Sequence, residues 1–177
     1  HGWGGAVALQ LAAEQPQFVR ELVLVAPSVY ESPRRLWQPL AKVPYANRAA
    51  AWAMSAGGPY WLYAQRAEML DPAAVGKAYW KRIQEPTHVE GTIAAQVAMA
   101  RSPRANTVPE LLPRIQAPVL VIVGEQQTEA SLQEARQLNA ALPDGRLVTI
   151  AQAGRWPHLD QPTVVSRYIS EVALPTP

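Results

Sequence analysis

The chain contains no cysteine, which excludes disulfides and thiolate metal sites and leaves the redox compartment unread. Its three histidines, His1, His88 and His158, stand far apart and offer no metal-ligand spacing. No apolar run approaches the ~18 residues that a membrane helix requires, so no membrane partner is expected. No charged segment followed by an apolar stretch opens the chain, so a secretory signal is not expected and a cytoplasmic location is. Charge is sparse: 17% of residues are charged and the net charge is +2. No cluster of Lys and Arg is interleaved with aromatics, so nucleic acid is not an expected partner. There is no initiator Met, which reads as a processed product or a fragment of a longer reading frame. No cofactor is implied.

Hydrophobic residues, by contrast, make up 49% of the 177 positions, enough for a packed core and too many for a disordered chain. That length is one ordinary domain, or a large part of a bigger one. From Gly4 to Gln15 the sequence is apolar on nearly every face and Pro16 closes it, which predicts a helix buried against a sheet. Three short apolar runs follow, Glu21–Ala26, Pro118–Gly124 and Arg146–Ala151, the last preceded by the turn residues Pro143-Asp144-Gly145. Runs of this kind suit parallel strands covered on both faces. Between the second and third runs, Ser131 and Glu134 form a capping box. Leu132, Ala135, Leu138 and Leu142 then recur at helical spacing. A final helix is expected with Asp160 as N-cap, Val165, Tyr168, Ile169 and Val172 on one face, and Pro175 and Pro177 beyond its end.

The middle, Val29 to Pro113, has no strand-like run and holds Trp37, Trp52, Trp61 and Trp80. Breaks at Gly57-Gly58-Pro59, Asp71-Pro72 and Glu85-Pro86, and a capping box of Thr87 with Glu90, make it an inserted helical subdomain. Its tryptophans are read as a small core in preference to an aromatic ligand site. Strand–helix alternation on either side implies an α/β layer architecture.

The opening pentapeptide His1-Gly2-Trp3-Gly4-Gly5 resembles the nucleophile elbow of an α/β-hydrolase, a sharp strand-to-helix turn built on Gly-x-Ser-x-Gly. The stretch from Ile115 to Gln127 looks like the strand that delivers the catalytic acid. Ala153-Gly-Arg-Trp-Pro-His-Leu-Asp-Gln-Pro162 looks like the loop that delivers the catalytic histidine. These pieces, in this order, resemble the part of the α/β-hydrolase fold from the elbow onward, with the last three strands of the sheet. The resemblance implies residues 1–28 as elbow, central helix and first retained strand, 29–113 as a helical lid, and 114–177 as the rest of the core.

Carried over residue by residue, the nucleophile position is Gly2, the acid position Gln127 and the base position Arg155. A nucleophile needs an oxygen, a base needs a nitrogen that titrates near neutral pH, and the orienting group needs a negative charge. Glycine has no group, glutamine no charge, and Arg stays protonated. The expectation is a catalytically degenerate hydrolase-like protein that acts by ligand binding or assembly. The alternative is an active hydrolase of small ester, acyl or C–C substrates with a non-standard nucleophile; a bare fragment without function is the third reading.

His158 could replace the base but reads better as a loop histidine bonding backbone. Ser28 and Glu31 follow the first strand's C-terminal end, where ligands bind in such sheets, and Ser28 reads better as a turn residue than as a replacement nucleophile. His1 reads as the residue before the elbow. Gly2 also relieves the backbone strain that the elbow imposes on other residues. The backbone N–H of Trp3 at the helix start, with Arg155, could bind a carboxylate or similar anion. Against that, Arg155 could pair with Glu125 or Asp160. The first strand would be left with an open edge, so either a complementary N-terminal half or a second copy is an expected partner.

Overall fold

A computed structural model of the chain describes residues 1–30, 43, 45–54, 63, 66, 68–73, 75–85, 89–101 and 107–173. It divides into two compact units, residues 1–31 with 106–177 and residues 32–105. In chain order the elements are α1 (Trp3–Glu14), β1 (Leu22–Val25), α2 (Ala46–Met54), α3 (Lys77–Gln84), α4 (Thr92–Arg101), α5 (Val108–Leu111), β2 (Val119–Gly124), α6 (Glu129–Ala141), β3 (Gly145–Ile150), α7 (Pro157–Asp160) and α8 (Pro162–Ala173).

The first unit is built round a three-stranded parallel sheet in the order β1-β2-β3. Every residue of β2 is buried, as a continuous apolar strand covered on both faces must be. Each such Val, Leu or Ile contributes roughly 1.5–3 kcal/mol on leaving water. On one side of the sheet Leu9 of α1 and Leu138 of α6 join Leu24, Val119, Val121 and Val123 in one core; on the other, Val165 of α8 packs with Leu120, Ile122, Ile150 and Ala153. Val29, Val108 and Leu112 belong to the first of these cores, although the sequence pattern had set them in the helical insertion. They are apolar residues at the edges of that insertion, where periodicity alone does not say which core they enter.

α1 differs from the all-round burial expected of it. Gly5, Leu9 and Ala12 are buried, while Val7 is 60% exposed, Leu11 48% and Trp3 50%. The helix packs on β1 and on residues 108–114, which cover one side only. β3, at a sheet edge, is likewise only partly buried. α6 begins earlier than the Ser131–Glu134 pattern predicts. Its N-cap is Thr128, whose Oγ1 accepts the Ser131 N–H at 3.3 Å and so satisfies one orphan donor of the first turn. Asp160 does not cap the last helix either. It ends α7, and α8 restarts at Pro162, as expected where the residue before a proline is held out of helical geometry; Gln161 has φ −134°. On α8, Val165 is buried and Tyr168 and Val172 are half-buried, but Ile169 turns outward at 38% exposure, and Val164 packs inward in its place.

The second unit is helical where it is described. α2 packs with α4, and Ala51, Met69, Trp80 and Val97 are buried. The expected tryptophan core is met at Trp80 but not at Trp52, which is 56% exposed. Trp37, Trp61, Gly57-Gly58-Pro59, Pro86 and Thr87 lie outside the described residues, as do Pro175 and Pro177. Asp71 forms the anticipated turn, its Oδ1 accepting the Ala73 N–H at 3.0 Å. Among the described residues no helix is long and apolar enough to cross a membrane, and no group of His, Asp and Glu has the arrangement of a metal site.

Candidate functional site

Three loops meet beyond the C-terminal ends of the strands, the edge where open α/β sheets bind ligands. The first is the turn at Gly2. Its backbone has φ 55° and ψ −124°, a region that strains any residue with a Cβ. The Gly2 N–H donates to the Val25 carbonyl at 3.1 Å and its own carbonyl accepts the Ser28 N–H at 3.0 Å, which pins the turn to the end of β1. α1 then starts at once, with the Gly4 N–H on the His1 carbonyl. Ser28 therefore serves the turn through its backbone. Glu31 lies outside the described residues.

The second loop follows β2. Gln127 donates its N–H to the Gly124 carbonyl at 3.3 Å, and Gln126 donates to the Ala153 carbonyl at 2.9 Å. The Gln127 side-chain nitrogen Nε2 is buried without a hydrogen-bond partner. The third loop follows β3 and carries Arg155. The Arg155 carbonyl accepts a proton from His1 Nε2 at 3.1 Å. Through these bonds the structure brings Gly2, Gln127 and Arg155 to one corner of the sheet, although they lie far apart in the sequence.

Arg155 is half-buried, and its charge reaches Glu134 on α6. Burial pushes the Glu134 carboxyl above its usual range, and Arg155 pulls it back down. Tyr30 is pushed up by burial and then by Glu134. Tyr30, Glu134 and Arg155 thus share one electrostatic neighbourhood. Glu134 is the residue that the sequence assigned to a helix cap. Asp160, one of the two acids expected beside Arg155, also holds the loop, its Oδ2 accepting the Gly154 N–H at 2.8 Å. Nothing in local spacing marks Glu134, because it is the β2–α6–β3 crossover that carries it there.

His158 is the second residue of α7 and is not the backbone-bonded loop histidine expected: its Nδ1 is buried with no hydrogen-bond partner. The His1 ring stacks on Trp156 at 4.2 Å and meets His158 edge-on at 5.0 Å. The Trp156 indole N–H is also buried and unpartnered. Burial lowers the His158 pKa below the ordinary imidazole value, and Asp160 opposes this. The neutral ring is therefore favoured on folding, so below about pH 6.5, where a free imidazole gains its proton, the unfolded state binds more protons. Stability should be full above that pH and fall as pH drops through it. Urea unfolding at pH 7.5 and 5.5 checks this against His158→Gln, and an equal drop in both chains would remove His158 from the account.

A model of the alpha/beta hydrolase family matches residues 1–167. The chain belongs to the alpha/beta hydrolase family. It is similar to the AB hydrolase superfamily protein YfhM of Bacillus subtilis, with 23% identity over 187 residues that cover 97% of this chain and 63% of that protein. Among solved structures it is similar to 2-hydroxy-6-oxo-6-phenylhexa-2,4-dienoate hydrolase from Rhodococcus sp. strain RHA1, with a TM-score of 0.67 and 22% identity over 98% of this chain and 62% of that one. A thermophilic esterase from Thermogutta terrifontis gives a TM-score of 0.66 and 24% identity, over 95% and 60% of the two chains. These structural likenesses bear on the alpha/beta hydrolase fold. The chain spans less than two thirds of the length of the curated relatives it matches.

Proposed function

We propose that this member of the alpha/beta hydrolase family is catalytically degenerate and acts by ligand binding or assembly. The observation that carries the reading is Gly2. It holds the elbow's backbone geometry with no side chain, and an added Cβ would meet nothing within 4 Å. The space above the turn is open and there is no oxygen to fill it. Arg155, at the base position, cannot take a proton, and Gln127, at the acid position, cannot supply charge. Each vacancy alone would cripple acyl transfer, and the three agree.

What the elbow keeps is a helix start, which favours anions, beside the cationic Arg155. A small carboxylate between the Trp3 N–H, Ser28 and Arg155 is the ligand this chemistry suits, with Glu134 as the competing partner of the arginine. Assembly is supported by the apolar stripe Trp3, Val7 and Leu11 on α1 and by the position of β1 at the sheet edge. A complementary α/β half or a second copy would cover both.

The competing reading, hydrolysis of small ester or C–C substrates through another nucleophile, draws support from the hydrolase and esterase names of similar proteins. A fluorophosphonate probe and nitrophenyl esters separate the two. The native chain and Gly2→Ser should both stay unlabelled and inactive, because Arg155 stands at the base position in each. Labelling of any serine in the native chain would overturn the degenerate reading. Acetate titrated against the native chain and Arg155→Ala tests the anion site, which equal or absent binding would sink. Light scattering tests assembly: a monomer with a cooperative melt would remove it.

A further inference from the structure

The second unit holds an open cavity of about 470 Å³, lined by Arg66, Pro72, Val75, Gly76, Lys77 and Trp80 among others. That volume lies in the range of small-ligand sites. Its composition is uneven. Pro72, Val75 and the ring of Trp80 supply apolar wall, and Trp80 is itself buried at 8% exposure. Among the described residues, the groups on its lining that carry charge, Arg66 and Lys77, are both cations and both exposed. The Arg66 guanidinium stands 5.1 Å from the Trp80 ring centroid, held against the ring face by a cation–π contact. α3 begins at Lys77, and its N-cap Gly76 has no side chain to cap the first turn, which contains no acidic residue. The positive end of that helix therefore adds to the two side chains without being neutralised by its own sequence. The nearby Asp71 accepts the Ala73 N–H and so helps hold the turn that forms the wall.

We propose that this cavity is a binding site for a small organic anion with an apolar, planar body, such as an arylalkyl carboxylate. The apolar body would lie along Pro72, Val75 and Trp80. The carboxylate would be received by Arg66, Lys77 and the first backbone N–H groups of α3. Arg66 is fixed on the Trp80 ring, so less side-chain freedom is lost on binding than for a guanidinium free in solvent. The site lies wholly within residues 32–105 and does not rest on the degenerate reading of the elbow.

Isothermal titration of the full chain with phenylacetate tests it, with phenylacetamide as the uncharged counterpart. Binding of phenylacetate should weaken about tenfold or more in Arg66→Gln/Lys77→Gln, since charge-assisted hydrogen bonds are lost. The titrations are made in an Arg155→Ala background, which removes the elbow anion site proposed above, and there phenylacetamide should bind more weakly than phenylacetate by a similar factor. Both exchanged side chains are exposed, and circular dichroism checks that the double variant keeps its fold. Absence of phenylacetate binding, equal binding by the amide, or binding that survives in the double variant would each overturn the proposal. Loss in Arg155→Ala alone would overturn it as well, and would place the anion at the elbow.

Discussion

Replacing Gly124 with alanine should destabilise the protein by about 3 kcal/mol or more, the upper end of what overpacking costs. Gly124 is the last residue of β2, and a Cβ there would overlap the backbone carbonyl oxygens of Ala153 and Gly154. Backbone cannot swing aside as a long side chain can. The loop would have to move away from the strand, and that breaks the Gln126 N–H bond to the Ala153 carbonyl. The same motion would separate Gln127 from the loop that carries Arg155, so the substitution attacks the candidate site together with the fold. Urea or thermal unfolding of Gly124→Ala measures the loss, and a change below about 1 kcal/mol would mean that the two segments are not in contact at Gly124.

Ile122→Ala should cost about 4 kcal/mol, in the upper part of the range for large-to-small changes in a core. Ile122 is 0% exposed, sits in the middle strand between Val25 and Val148, and packs with Leu120, Ile150, Ala153 and Val165. Its neighbours are held by strand pairing on both sides, so they cannot collapse into the space left behind. Ile122→Val removes a single methylene and should cost about 1 kcal/mol. Equilibrium unfolding of the two variants gives the comparison. Equal losses would show that the site relaxes and that the interior is looser than close packing requires. Because Ala153 shares this cluster, the alanine variant should also loosen the loop that bears Arg155 and Trp156.

The strands were legible in the sequence because a strand buried on both faces has a plain signature. Val119 to Gly124 is apolar without interruption, and no other element of the chain can place such a run. That Gln127 and Arg155 follow the ends of strands was legible too, since each stands just beyond an apolar run. What local pattern could not supply was competition between near-equal caps. Thr128 and Ser131 are both good N-caps, and the choice between them is made only once α6 is anchored by Ala135 and Leu138. Asp160 was misassigned for a similar reason: its carboxylate serves a loop N–H six residues earlier, at Gly154. The exposure of Val7 and Leu11 was beyond periodicity altogether, because an all-apolar helix reads as buried whether or not a neighbour stands on every side. Glu134 was hidden as a site residue because its meeting with Arg155 is made by the crossover and not by any motif.

The positive φ of Gly2 bears on how such a protein can change over time. Restoring serine there alone would introduce roughly 1–3 kcal/mol of backbone strain, while Arg155 and Gln127 would still leave the hydroxyl without a base or an orienting charge. On the proposed reading, the first step back toward catalysis lowers fitness through stability and returns no reaction to select. The other two reversions gain nothing without it. On that same reading, the vacancy at residue 2 would work as a ratchet, holding the chain away from acyl transfer and leaving the open corner of the sheet available to a different use.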